Sequence, residues 1–449
     1  MSARLRSHVP ALRSWIRARP GRSGLVAGAA AGLVTGLLLA TVVSPLLDRG
    51  EELEPGELVI MSSVDESQGG QRQRLLDQWN AMHGNRNPAR IKPVNRSPEK
   101  AHAEMLEAGP EIDIFNLDVT WTAEFVAADR IRPLDRDGLN RRALLAGFLE
   151  EPLATCEYRD TLYALPFNTD AGLLYYRTYP RDGKPWPEPP TTWDDIRNAS
   201  NEMLGPAGDG RLEAGYAAQL ADSEILTVTA LEAIWSEGGD VVNESGDVVI
   251  DSDAAERGLR RLSDGLEASS APLILPDSRG FDEKTSTKAF GDGRAMFMRN
   301  WPVAYRDLQP VSESNPRFTY QVTTVPGKRS VLGGQNLAVA RSSDQPRAAQ
   351  ALIEFLTGER SQQVLFEHGG FAATREVVYR DENITTKYPY ATTLLEAIRR
   401  ARPRPETPHY TDFSLELRKV VTEVWQNDGE ITADHARRLT DALQGKHGG

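Results

Sequence analysis

The chain has one cysteine, Cys156, in 449 residues. A single thiol forms neither an internal disulfide nor a multi-thiolate metal centre, and its plain role is that of a passive, half-buried side chain. Seven scattered histidines offer no dense ligand set, so no metal site is expected. The signatures of hydrolytic and nucleotide chemistry are missing too. There is no Gly-x-Ser-x-Gly elbow, no His-Glu-x-x-His pair and no Walker A loop, and LGGQNL (residues 332–337) lacks the spacing of a dinucleotide fingerprint. No catalytic residue and no cofactor is implied, and a non-enzymatic role is expected. Acids are so numerous, 64 in all, that the pattern alone singles out no glycosidase-like carboxylate pair.

Positive charge is scarce beyond the N-terminus. Residues 1–23 carry Arg4, Arg6, Arg13, Arg17, Arg19 and Arg22 and no acid, while the whole chain has a net charge of -12, leaving about -18 on the rest. A body that acidic does not wrap a phosphate backbone, and no nucleic-acid partner is expected.

Directly after the arginines comes a run of 24 uncharged residues, 24–47. As a helix it reaches about 36 Å, enough to cross about 30 Å of hydrocarbon. The arginines would stay in the cytosol and the remainder would be exported. VVSPLLDRG is a poor cleavage exit, which favours a retained anchor over a cleaved signal peptide. The expectation is a single-pass protein of the cell membrane, with residues 1–23 cytoplasmic, 24–47 transmembrane, 48–57 a tether and the bulk extracellular.

A chain of this length outgrows one ordinary core, so two or more lobes are expected. LVIMSSV (58–64) reads as a strand, and QRQRLLDQWNAMHG (71–84) as a helix with Leu75, Leu76, Trp79 and Met82 at helical spacing. RIKPV is a weaker strand, and IDIFNLD is a buried strand ending at Asp118 before a helix starting in TWTAEFVAAD. This alternation implies a mainly parallel sheet. Ligands of such sheets sit beyond the carboxyl ends of the strands, where Asp118 and Trp121 fall. Helices continue over TTWDDIRNASNEML, SEILTVTALEAIWSEGG and SDAAERGLRRLSDGL, then a strand at AMFM and a strand–turn–strand over 322–340. The last 65 residues read as helical, broken by the prolines of ARPRPETPHY (401–410).

DVTWTAEF, YALPFNTDAGLLYYR, AMFMRNWP, ALIEFLTGERSQQVLFEHGGFAATREVVY and ARPRPETPHY, in this order, are similar to segments of the ABC-transporter extracellular solute-binding proteins of family 1, the sugar binders; the last segment also resembles the trehalose/maltose-type subgroup. The resemblance covers nearly all of residues 57–445. It implies an α/β, two-lobed periplasmic-binding-protein-like fold of type II with three hinge crossings, near 165–168, 326–330 and 370–382. The lobes would be assembled from 58–166 and 328–372 (lobe one) and from 167–327 and 373–449 (lobe two). It implies a monomer that captures a sugar, a disaccharide or short oligosaccharide, and delivers it to ABC permease transmembrane subunits. A membrane-anchored receptor uncoupled from transport and a glycoside hydrolase are the alternatives.

Under this resemblance Pro166 and Phe167 pass through a hinge, and Asn168–Asp170 form a polar elbow that either meets the ligand or caps its own turn. Trp121, Trp235 and Trp301 would offer flat platforms for sugar rings, with a core role as the alternative for the first two. Gly333 and Gly334 permit close backbone approach. Gln335 and Asn336 would donate amides or cap a strand. Arg375 would reach the ligand or make a surface ion pair. Two departures stand out: VDESQGGQ separates Glu66 from Gly69-Gly70, where relatives commonly have Glu-Gly-Gly, and no cysteine near residue 47 is available for a lipid.

Overall fold

Nine strands make the two sheets that position the site: β1 (Leu58–Ser62), β2 (Ala89–Pro93), β3 (Ile114–Asp118), β4 (Ala164–Ala171), β5 (Leu173–Arg177), β6 (Ala214–Ala217), β7 (Ala295–Asn300), β8 (Tyr320–Thr324) and β9 (Leu332–Val339). They come from a computed structural model describing residues 53–65, 67–181, 184–204, 211–267, 272–427 and 429–446. Residues 54–449 form one compact unit. The span expected at 24–47 lies outside the described residues, and among these no helix is long and apolar enough to cross a membrane.

Sheet one has the order β2-β1-β3-β9-β4 and sheet two the order β6-β7-β5-β8. In sheet one, β1, β2 and β3 run parallel and β9 runs antiparallel to both β3 and β4. In sheet two, β6 and β7 are parallel and β5 is antiparallel to β7 and β8. Each sheet is thus mostly parallel with one reversed strand. That strand is in each case the first one after the chain arrives from the other sheet: β5 follows β4 across Gly172, and β9 follows β8 across residues 325–331.

The first crossing corrects the expectation of a hinge at Pro166–Phe167. Asn168, Thr169 and Asp170 are not an elbow beyond it but the end of β4, paired with Gln335, Gly334 and Gly333 after a bulge. Leu173–Arg177 are all buried because helices cover both faces of sheet two; Tyr175 and Tyr176 lie in different cores.

The helices form where periodicity places them. Helix α1 (Gln71–His83) buries Leu75, Leu76 and Trp79, although Met82 is exposed. Helix α2 (Pro98–Leu106) starts at Ser97, whose hydroxyl accepts from the Lys100 N–H, with Pro98 at the first helical position. Helix α3 (Glu224–Ser236) is buried along most of its length, packed beside Asp253–Glu267 and α4 (Tyr410–Gln426). The segment 401–407 before α4 is non-helical and runs along the second crossing: Arg402 N–H donates to the Ser330 carbonyl at 2.9 Å, and Leu332 N–H to the Arg402 carbonyl at 2.8 Å.

Candidate functional site: a cavity between the sheets

The carboxyl ends of β3, β4 and β7 meet the start of β9 around a cavity of about 400 Å³. Its floor is β4 with β9. Asn168 and Asp170, two residues apart, share one face of the strand and both line the cavity, opposite Gln335 and Gly333 respectively. Gly334 has φ +124, and a Cβ there would lie 2.3 Å from the Asn168 carbonyl oxygen. Only glycine lets the strands close at this point.

Asp118, the last residue of β3, accepts from Thr120 N–H at 3.0 Å and Thr120 Oγ1 at 2.7 Å, which fixes its carboxylate. Its Oδ1 also meets Arg404 Nη2 at 3.1 Å. Arg404 Nη1 reaches Glu224 Oε1 at 2.7 Å at the start of α3, and Glu224 accepts from the Tyr410 hydroxyl and, at 2.6 Å, from Ser414 Oγ. Burial works against the Arg404 charge, but Asp118, Tyr410 and Glu224 outweigh it and raise the guanidinium pKa. Arg404 thus joins the end of sheet one to the helices on sheet two.

The walls are aromatic. The Trp121 ring lies 5.0 Å from the His102 ring and stacks with Phe125 at 6.4 Å. Trp301 comes directly after β7; its N–H donates to Asn300 Oδ1 at 2.8 Å, and the Arg299 guanidinium sits 3.8 Å from its ring centroid. Arg299 is itself held by Glu232 through two hydrogen bonds of 2.9 and 2.7 Å. A Cβ on Gly172, at the first crossing, would meet Glu232 Oε1 at 2.5 Å and Arg299 Nη2 at 2.6 Å, so glycine there makes room for this buried ion pair.

The floor is short of donors. Asn168 is 3% exposed, and its Oδ1 has no hydrogen-bond partner among the described residues. Burial, opposed by Arg299 and aided by Asp118, pushes the Asp170 carboxyl up to about 6.

Of the residues singled out from the sequence, Asp118, Trp121, Asn168, Asp170, Trp301, Gly334 and Gln335 line this one cavity. Two do not. Trp235 is 5% exposed in the core; its indole N–H donates to Asp240 Oδ1 at 3.0 Å, and it borders a separate surface cavity with Asp240 and Arg402. Arg375 is a buried structural cation. Its Nε donates to the Thr357 carbonyl at 3.0 Å and its Nη1 to the Ala146 carbonyl at 3.1 Å, it lies against Phe148, and burial lowers its pKa to about 10. Asn336, 0% exposed, points away and bonds Thr155. Glu66 lies outside the described residues. Sequence reading missed Glu224, Arg404 and Tyr410. They are distant in sequence from the other cavity residues, and the ARPRPETPHY segment was the one available signal.

This architecture is that of a two-lobed solute-binding protein. The chain belongs to the bacterial extracellular solute-binding proteins, whose family model matches residues 75–392. It is 31% identical over 254 residues to a probable ABC transporter-binding protein of Deinococcus radiodurans, covering 55% of this chain and 59% of that one. It is 24% identical over 274 residues to a probable amino-acid ABC transporter periplasmic-binding protein of Sinorhizobium fredii, covering 59% and 60%. The chain thus spans about three-fifths of the length of the curated relatives it matches. Among solved structures, maltose-bound T. maritima MalE3 superposes with a TM-score of 0.72 at 26% identity, over 87% of this chain and 99% of that one. The GacH receptor of Streptomyces glaucescens superposes with a TM-score of 0.69 at 22% identity, over 87% and 98%, and shares the fold.

Proposed function

We propose that this protein captures a sugar, a disaccharide or short oligosaccharide, in the cavity between its sheets and hands it to the membrane subunits of an ABC importer. One observation carries the reading: the Asp118 carboxylate held by Thr120, the Asp170 carboxylate and the Asn168 amide line one cavity with two tryptophans. A sugar needs directed partners for its hydroxyls and a flat apolar surface for its ring faces. Maltose in the T. maritima relative supports the same class. The binding residues are Asp118, Trp121, Asn168, Asp170, Trp301, Gly334 and Gln335, with Arg404 and Glu224 added by the fold.

The amino-acid relative suggests a second reading, but the cavity argues against it. A free α-carboxylate would add negative charge to a cavity whose cations already face carboxylates, Arg404 with Asp118 and Glu224 and Arg418 with Asp222 at 3.1 Å, while Asp170 has no paired cation. The binding is reversible and turns nothing over. A thermal-shift screen of the full-length chain against sugars and amino acids, with subsequent analysis for cleaved products, tests both points: stabilisation by a sugar left intact is expected. Stabilisation by amino acids alone would overturn the solute class, and cleavage abolished by Asp118→Asn would overturn the binding role in favour of hydrolysis.

The arginine-flanked run at 24–47 is the anchor in this reading, with the body outside the cell and acting as a monomer. Protease added to intact cells is expected to digest the body and spare the N-terminus; release of the whole body into the medium would contradict the anchor.

A further inference from the structure

The charge balance of the cavity narrows the solute further. Asn168 Oδ1, on a side chain 97% buried by its 3% exposure, is an acceptor without a donor among the described residues. Asp170, on the same strand face, receives no hydrogen bond from them either; Arg299 acts on it only at a distance. The cations around it already face carboxylates, Arg299 with Glu232, Arg404 with Asp118 and Glu224, and Arg418 with Asp222, although Arg299 Nη1, Arg404 Nε and Arg418 Nε have no hydrogen-bond partner among the described residues. His102 is engaged by Glu124 at 2.8 Å. Three guanidiniums thus stand against five carboxylates, Asp118, Asp170, Asp222, Glu224 and Glu232, so the cavity carries an excess of negative charge, and Asp170 lies next to a second bare acceptor. A charge held out of water in this way is stabilised most by an opposite charge that brings its own hydrogen bonds. A tryptophan face favours a cation as well, as the Arg299 guanidinium over the Trp301 ring illustrates. Residues i and i+2 of a strand are about 6.6 Å apart, a span one pyranose ring bridges with substituents on either side.

We propose that the solute is an amino-substituted glycoside, with its protonated amine on the Asp170 carboxylate and a hydroxyl donating to Asn168. This rests on the sugar reading and deepens it.

The test is calorimetric titration of the full-length protein just below pH 7, where Asp170 is largely ionised and the sugar amines are largely protonated, with matched pairs: the glucosamine disaccharide against its di-N-acetyl form, which keeps the linkage and loses the charge, and against cellobiose, which keeps the linkage without the acetyl bulk. The same pairs are run on Asp170→Asn. The amine is expected to bind about tenfold or more tightly than its neutral partners, as hydrogen bonds to charged groups allow, and Asp170→Asn is expected to erase that preference. The wild-type comparison stands by itself if the variant folds poorly. Equal or tighter binding of the neutral sugars overturns the amine and leaves the sugar reading intact, and so does a preference that survives Asp170→Asn. Binding of spermidine and of no glycoside overturns the sugar reading and with it this proposal.

Discussion

Burial pushes the Asp170 carboxyl up to about 6, so under the proposed binding mode the residue acts in opposite directions on stability and on binding. The native state holds this proton more tightly than the unfolded chain. Stability therefore falls as pH rises from the ordinary carboxylate range to about 6, and the cost is constant above that. Asp170→Asn is expected to stabilise the free protein at pH 7 by about 1–2 kcal/mol, with the gain vanishing near pH 4. Urea midpoints at an unchanged slope measure this; equal midpoints at pH 7 would contradict it. Binding that draws on the ionised carboxylate is expected to weaken as pH drops below about 6. Arg404 is the residue that sequence could not place. Its partners Asp118 and Glu224 lie 286 and 180 positions away, and no spacing rule links such positions. Arg404→Met leaves those two carboxylates without their cation. Both are partly exposed, so the expected loss of unfolding free energy is about 1–3 kcal/mol, and an unaltered urea midpoint would count against the bridge.

Strands and helices were largely legible because their apolar periodicity is strong: the expected strands at 58–64, IDIFNLD and AMFM and the helix at 71–84 all form within a few residues of their bounds. Strand direction was not legible, since pairing depends on which sheet the chain has just left. The polar triplet in β4 misled for a physical reason. Asn and Asp mid-run signal a turn, but here one face of the strand opens onto a cavity and its polar side chains need not be buried against a core. At this level the sharpest test is Gly334→Ala. The new methyl cannot be placed without parting β4 from β9, so a loss of about 2–4 kcal/mol is expected, together with loss of binding. A variant with unchanged thermal midpoint would show that the floor has more room than the contact at Asn168 allows.

Across the whole molecule, the cavity is made by both sheets and by neither alone: Asp118, Asn168 and Asp170 come from sheet one, Trp301 from the end of sheet two, Glu224 from a helix on sheet two and Arg404 from the non-helical segment before α4. Solute that bridges these parts favours their approach and expels water. Family resemblance made this arrangement legible in outline. The residues that join the two halves were not, because their proximity arises only in the folded chain. The account is tested most directly by titrating the protein with the tightest-binding sugar from the screen while comparing the wild type with Trp301→Ala, which removes a wall and leaves the floor. The predicted result is one sugar per chain, with Trp301→Ala about 5- to 150-fold weaker, the range that a loss of roughly 1–3 kcal/mol produces. One-to-one binding with the same affinity in both proteins would put the sugar somewhere other than this cavity and contradict the account.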